Sequence, residues 1–234
     1  MDAKTVLDAP ISRRAMLAGS AIAGAAALAG CKKSDSDGTE ASTGGSGDAV
    51  LSYHIENPTG IEPYTLEDEN AVAVAFNLFD ALTYYNYKTG ELEDLVAESH
   101  THNDDDTVWT FKVRKGTKFH DGSEVTAKSF RLCSPTTSDQ PSNVSYHLAL
   151  VKGYEDVTAG TATELAGVTC PDDYTLQVEL SQPYADFDYV CAAPVLSPIP
   201  EGAGSGDEYT AFAHSPIGNG PFKMKGDWVD GQYV

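Results

Sequence analysis

Apolar and polar residues alternate from Val108 to Arg114, with Trp109, Phe111 and Val113 on one parity and Thr110, Lys112 and Arg114 on the other. A period of two predicts a strand with one buried face. Tyr174 to Leu180 repeats the pattern through Leu176, Val178 and Leu180 and predicts a second such strand. Thr83 to Tyr87 is aromatic and strand-like, closed by the turn sequence Lys88-Thr89-Gly90. Val50 to Ile55 also has strand character. A longer period governs the segment after Thr65. That residue heads an acidic turn, Glu67-Asp68-Glu69, and Val72, Phe76 and Phe79 follow at helical spacing. Cap, acidic first turn and period together predict a helix reaching about Leu82. Lys115-Gly116 and Asp121-Gly122 punctuate the chain beyond the Trp109 strand. Short strands mixed with helices, without a βαβ rhythm, predict a mixed α/β (α+β) domain.

The first fifty residues follow another logic. Ala15 to Gly30 is apolar but rich in Ala and Gly, and it is short of the ~20 residues a spanning helix needs. Basic residues before it and small ones at its end read as an export signal rather than a fold element. Ser12-Arg13-Arg14-Ala15-Met16-Leu17 resembles the twin-arginine signal, with Met16 where that pattern prefers Phe. Leu28-Ala29-Gly30-Cys31 resembles the lipobox of bacterial lipoproteins. That resemblance implies cleavage before Cys31 and diacylglycerol on its sulfur, and two acyl chains anchor stably where one is marginal. Lys32 to Asp48 is Ser, Gly, Asp and Thr with almost nothing apolar, the composition of a flexible spacer. The expected organisation is a signal peptide over 1–30, lipidated Cys31 and linker over 31–48, and one folded domain over 49–234. The expected location is the outer face of the cytoplasmic membrane, with the bilayer as a partner through Cys31.

Charge narrows the partners. The chain carries 35 acidic residues against 15 Lys and Arg, a net charge of −20. Such a surface repels nucleic acid and anionic lipid head groups, so a nucleic-acid function is excluded. Beyond Cys31, three cysteines remain, Cys133, Cys170 and Cys191. In an exported protein two of them form one bridge and leave a thiol, and the sequence does not choose the pair. Without Cys-x-x-Cys, a zinc ribbon or a thioredoxin-like site is not expected.

Chemically armed motifs are scarce. Gly-x-Ser-x-Gly and His-Glu-x-x-His do not occur, and the expectation is a protein that is not an enzyme and holds no cofactor. His100-Thr101-His102 places two imidazoles on one strand face ahead of Asp104-Asp105-Asp106, but acidic turns are common in so acidic a chain, and no metal is expected there. Gly218-Asn219-Gly220-Pro221 has the look of a phosphate loop. It lacks a following Lys-Ser/Thr and loses an amide donor at Pro221, so a tight turn feeding a strand is expected.

The segment from Trp109 through Lys118-Phe119-His120-Asp121-Gly122 to Ala127 resembles the signature of the family 5 periplasmic solute-binding proteins, the peptide- and nickel-binding lipoproteins of ABC importers. Asn77-Leu78-Phe79-Asp80-Ala81-Leu82, Leu95-Val96-Ala97-Glu98-Ser99, Val144-Ser145-Tyr146-His147 through Gly153-Tyr154, Asp172 to Leu180, and Pro216-Ile217-Gly218-Asn219-Gly220-Pro221-Phe222-Lys223 follow in family order. The resemblance covers essentially all of 49–234. It implies the N-terminal lobe of a two-lobed periplasmic-binding-protein-like fold with the second lobe missing. The segment from Lys128 to Ser134 is also shorter than the family's usual helix. It further implies a receptor that closes on an oligopeptide and docks on an ABC permease, and ligand contacts at Glu69, Asn70, Ser142 and Tyr146. Carboxylate and amide groups suit a peptide's amine and backbone, and a tyrosine suits apolar side chains. A truncated surface lipoprotein that transports nothing is the rival expectation, and an exported enzyme loaded with a cofactor is a weaker one.

Overall fold

Two antiparallel sheets grow from the alternating segments. The computed structural model describes residues 51–52, 54–58, 60–63, 66–130, 145–201, 203 and 211–229. Apart from Leu51 they belong to one unit spanning 52–234. In chain order the named elements are helix α1 (Glu69–Leu78) and strands β1 (Thr83–Asn86), β2 (Glu91–Asp94), β3 (Ala97–His102) and β4 (Val108–Val113). Helix α2 (Tyr154–Thr158), strands β5 (Val168–Asp172) and β6 (Thr175–Glu179), and helix α3 (Phe187–Val190) follow. β1 and β2 form a hairpin, and the larger sheet has the order β3-β4-β6-β5.

Register explains why the larger sheet is buried on one side. Trp109 pairs with His102 and Val178, and Phe111 pairs with His100 and Leu176. Residues paired across a ladder share a face, so these rows form a single surface. Trp109, Phe111, Val113, Leu176 and Val178 on it are all at most 2% exposed. Phe187 of α3 covers the surface, its ring 6.0 Å from that of Trp109. The opposite face stays polar: the Lys112 ammonium donates to Thr175 Oγ1 at 2.6 Å and the Gln177 amide to Thr110 Oγ1 at 3.3 Å.

Helix α1 is shorter than the sequence pattern implies. Leu66 and Glu67 are not helical, and Asp68 is the cap, its carboxylate accepting from the Asn70 and Ala71 amides at 2.8 and 2.9 Å. Thr65 lies outside the described residues. An aspartate at the N-cap satisfies two orphan amides and meets the positive helix end, which displaces the start to its own position. The buried stripe is Ala71, Val74, Ala75 and Leu78. Val72 is half-buried, and Phe76 is 42% exposed, contrary to the spacing argument. The helix ends at Leu78, because Phe79 turns extended (φ −129°, ψ 136°) and enters the core from outside the helix.

Elsewhere the boundaries tighten. The aromatic strand stops at Asn86, whose side-chain oxygen accepts from the Lys88 amide and starts the hairpin turn. Leu51, Ser52, His54 and Ile55 form no strand, while Val50 and Tyr53 lie outside the described residues. Cys170 is disulfide-bonded and Cys191 is free, so the bridge excludes Cys191. Complete burial, with Asp188 nearby, pushes the Cys191 thiol well up, and it stays protonated.

Candidate functional site

Three of the segments that carry the resemblance meet at one place. The strap Gly218-Asn219-Gly220 lies against the C-terminal end of α1. Asn219 exchanges two hydrogen bonds with Asp80: its side-chain oxygen accepts from the Asp80 amide at 3.1 Å and its amide donates to the Asp80 carbonyl at 3.0 Å. The Gly220 amide donates to Leu78 O at 2.8 Å and the Phe222 amide to Asn77 O at 3.0 Å. His120 closes the other side, its backbone amide donating to Gly218 O at 2.8 Å and its Nε2 to Gly220 O at 3.0 Å. Its Nδ1 is buried with no partner among the described residues. The orphan carbonyls at the helix end are thus satisfied by backbone from far along the chain. Glycine is required at both strap positions: a Cβ on Gly218 would run into the Leu78 carbonyl oxygen, and one on Gly220 would sit 2.6 Å from the Leu78 carbonyl carbon. The strap feeds no strand among the described residues; Val229, further on, makes only a single β-bridge. Its two glycines serve close backbone approach, not phosphate.

The Asp121-Gly122 turn sits beside this junction. Asp121 Oδ1 accepts from the Ser123 amide at 2.8 Å and the Ser123 hydroxyl at 2.6 Å. These bonds hold its carboxyl below the ordinary value of 3.8. A depressed folded value means the contribution to stability is present above the ordinary value and is lost as pH falls through the folded one. We expect Asp121→Ala to lower Tm by about 1–2 °C at pH 6, a small effect because the group is exposed. The difference should shrink as pH falls below the ordinary carboxylate value and on through the lowered folded one, as scanning calorimetry would read.

The residues implied as ligand contacts fall on two separate elements. Glu69 is the first residue of α1 and is exposed; Asn70 follows it and is half-buried, its amide held by Asp68. Tyr146 lies on the 3-10 turn Ser145–Leu148, is 62% exposed, and stacks on His147 with ring centroids 4.3 Å apart. Core packing therefore does not explain Tyr146. Among the described residues no hydrogen bond or ring contact joins the α1 pair to Tyr146. Ser142 and Cys31 lie outside the described residues.

The paired histidines have ordinary partners. His100 Nδ1 is 2.7 Å from Asp94 Oδ1, and its Nε2 is 3.4 Å from Asp188 Oδ2. His102 Nδ1 is 2.7 Å from Asp106 Oδ1. Both imidazoles lie over Trp109, at 6.0 and 4.7 Å between centroids. His100 thereby joins β2, β3 and α3, a role that the spacing of the two histidines did not reveal. Among the described residues no group of three or more side chains is placed to hold a metal ion.

Comparison with known proteins agrees with this architecture. Residues 91–234 match the model of the bacterial extracellular solute-binding proteins, family 5 Middle. The periplasmic oligopeptide-binding protein OppA of Salmonella typhimurium is 36% identical over 180 residues, 72% of this chain and 32% of that protein. The oligopeptide-binding protein AmiA of Streptococcus pneumoniae is 31% identical over 221 residues, 89% of this chain and 33% of that protein. Among solved structures, Haemophilus influenzae OppA in complex with the peptide RPPGFSPFR superposes with a TM-score of 0.66 at 26% identity, covering 74% of this chain and 35% of that one. Listeria monocytogenes OppA bound to peptide gives 0.65 at 28% identity, with 73% and 34% covered. The chain spans about a third of the length of these relatives, and its fold matches one part of theirs. The chain belongs to the family 5 bacterial extracellular solute-binding proteins.

Proposed function

We propose that this chain supplies one wall of the peptide-binding cleft of an extracytoplasmic, lipid-anchored receptor that hands oligopeptides to an ABC permease. The observation that carries the reading is its relationship to proteins named as oligopeptide-binding, two of them solved with peptide bound. The accessible Glu69 carboxylate and Tyr146 ring support it chemically. A carboxylate pairs with a peptide amine, and an exposed tyrosine offers an apolar face with a hydrogen-bonding tip. Binding between two lobes that close is the common way such a receptor buries its ligand. Cys31 would carry the acyl chains and Lys32 to Asp48 would hold the folded unit off the lipid.

Radiolabelled palmitate and a labelled pentapeptide test both halves in cells producing the protein. Cys31→Ser should abolish lipid labelling and release the chain from membranes, and peptide uptake should fall with it. Undiminished lipid labelling of the variant would refute the anchor, and unchanged uptake in cells lacking the protein altogether would refute the receptor.

A further inference from the structure

The β1–β2 hairpin and α3 carry an aromatic surface that the fold leaves open. Tyr85 lies between two other tyrosines, its ring centroid 5.1 Å from that of Tyr87, edge-on at 88°, and 6.1 Å from that of Tyr189. Tyr87 is 76% exposed and Tyr189 47%, whereas Trp109, Phe111, Phe130 and Phe187 are almost wholly buried. Carboxylates frame the rings. Asp94, paired with Thr83, shares the hairpin face of Tyr85, and Asp186 and Asp188 lie three residues and one residue before Tyr189. Asp94 and Asp188 also face His100, at 2.7 and 3.4 Å, while Asp186 is exposed and Glu91 and Glu93 lie exposed on the hairpin's other face. Lys88 is the one cation within residues 83–94 and 186–190.

We propose that Tyr85, Tyr87 and Tyr189, framed by these carboxylates, form a docking surface for an arginine-bearing segment of a partner protein. Charge complementarity selects this occupant. An anionic partner meets a surface on which carboxylates outnumber the single lysine, whereas a guanidinium stacks on tyrosine faces and pairs with carboxylates at once. The chain uses the same chemistry internally, where the Lys115 ammonium lies 5.0 Å above the Tyr174 ring and the Tyr174 hydroxyl donates to Glu124. The surface stands on different elements from Glu69, Asn70 and Tyr146.

Fluorescein-labelled hexa-arginine and hexa-lysine, titrated by anisotropy into the full chain, test it at constant ligand charge. The wild-type chain should bind hexa-arginine at least threefold more tightly than hexa-lysine. The double variant Tyr87→Ser/Tyr189→Ser keeps the net charge and removes exposed rings, so it should fold with an unchanged Tm. It should lose about fivefold in hexa-arginine affinity and the preference over lysine. Equal affinities of the variant and wild type would overturn the proposal in favour of bulk attraction to an acidic chain. A loss in Tyr146→Ser with none in the double variant would overturn it in favour of binding as cleft cargo.

Discussion

Trp109→Ala should cost about 3–5 kcal/mol of stability in denaturant melts, the range for deleting a large buried aromatic. Trp109 is 1% exposed and lies where the large sheet, α3 and the edge histidines meet. Its ring is 6.4 Å from that of Phe111, 6.0 Å from Phe187 and 4.7 Å from His102. Among the described residues its buried indole N–H has no partner. The lost energy is therefore packing, with no hydrogen bond to subtract. Trp109→Phe removes the orphan donor and keeps most of the ring, so it should cost less than half as much. A Trp109→Ala loss below about 1 kcal/mol would contradict the burial and the sheet register together.

Gly218→Ala should be nearly as damaging, at about 3 kcal/mol or more, beyond ordinary overpacking of a core. The atom that a methyl group would meet is the Leu78 carbonyl oxygen, which is backbone and cannot rotate away. Relief requires the strap to lift, and lifting breaks the bonds from Gly220 to Leu78, between Asn219 and Asp80, and from His120 to Gly218. Gly226→Ala is the matched control, because nothing lies within 4 Å of a Cβ there. Chemical denaturation of the two variants should separate them widely. Equal stabilities would show that the strap does not lie against α1.

These two sites mark how much of the molecule is legible in the sequence. The Trp109 strand and the Leu176 strand are read correctly because period two with one buried face is a local signal. Thr83 to Asn86 is read for a similar reason. Phe76 misleads because helical spacing does not say which stripe faces the core, and that is decided by where the 3-10 turn Pro194–Leu196 and the strap press on α1. The helix start misleads because Thr65 and Asp68 are both competent caps and only the backbone decides between them. The strap is recognised as structural, yet its task depends on contacts between residues some 140 positions apart, which no local pattern carries. The candidate ligand residues stand at the same limit. The family resemblance implies that Glu69, Asn70, Ser142 and Tyr146 face a ligand, and the structure adds only that Glu69 and Tyr146 are accessible.

The most direct measurement is a titration of a mixed tri- to pentapeptide pool into the isotopically labelled 234-residue chain, followed by amide NMR. One wall of a cleft leaves the ligand largely solvated, so each hydrogen bond contributes only ~0.5–1.5 kcal/mol net. A few such bonds barely offset the several kcal/mol lost in immobilising a flexible peptide. The account predicts saturable shifts at Glu69, Asn70 and residues 145–148 with a Kd near 1 mM, about −4 kcal/mol. Shifts confined to other parts of the chain, or none at these residues at about ten times that concentration, would contradict it.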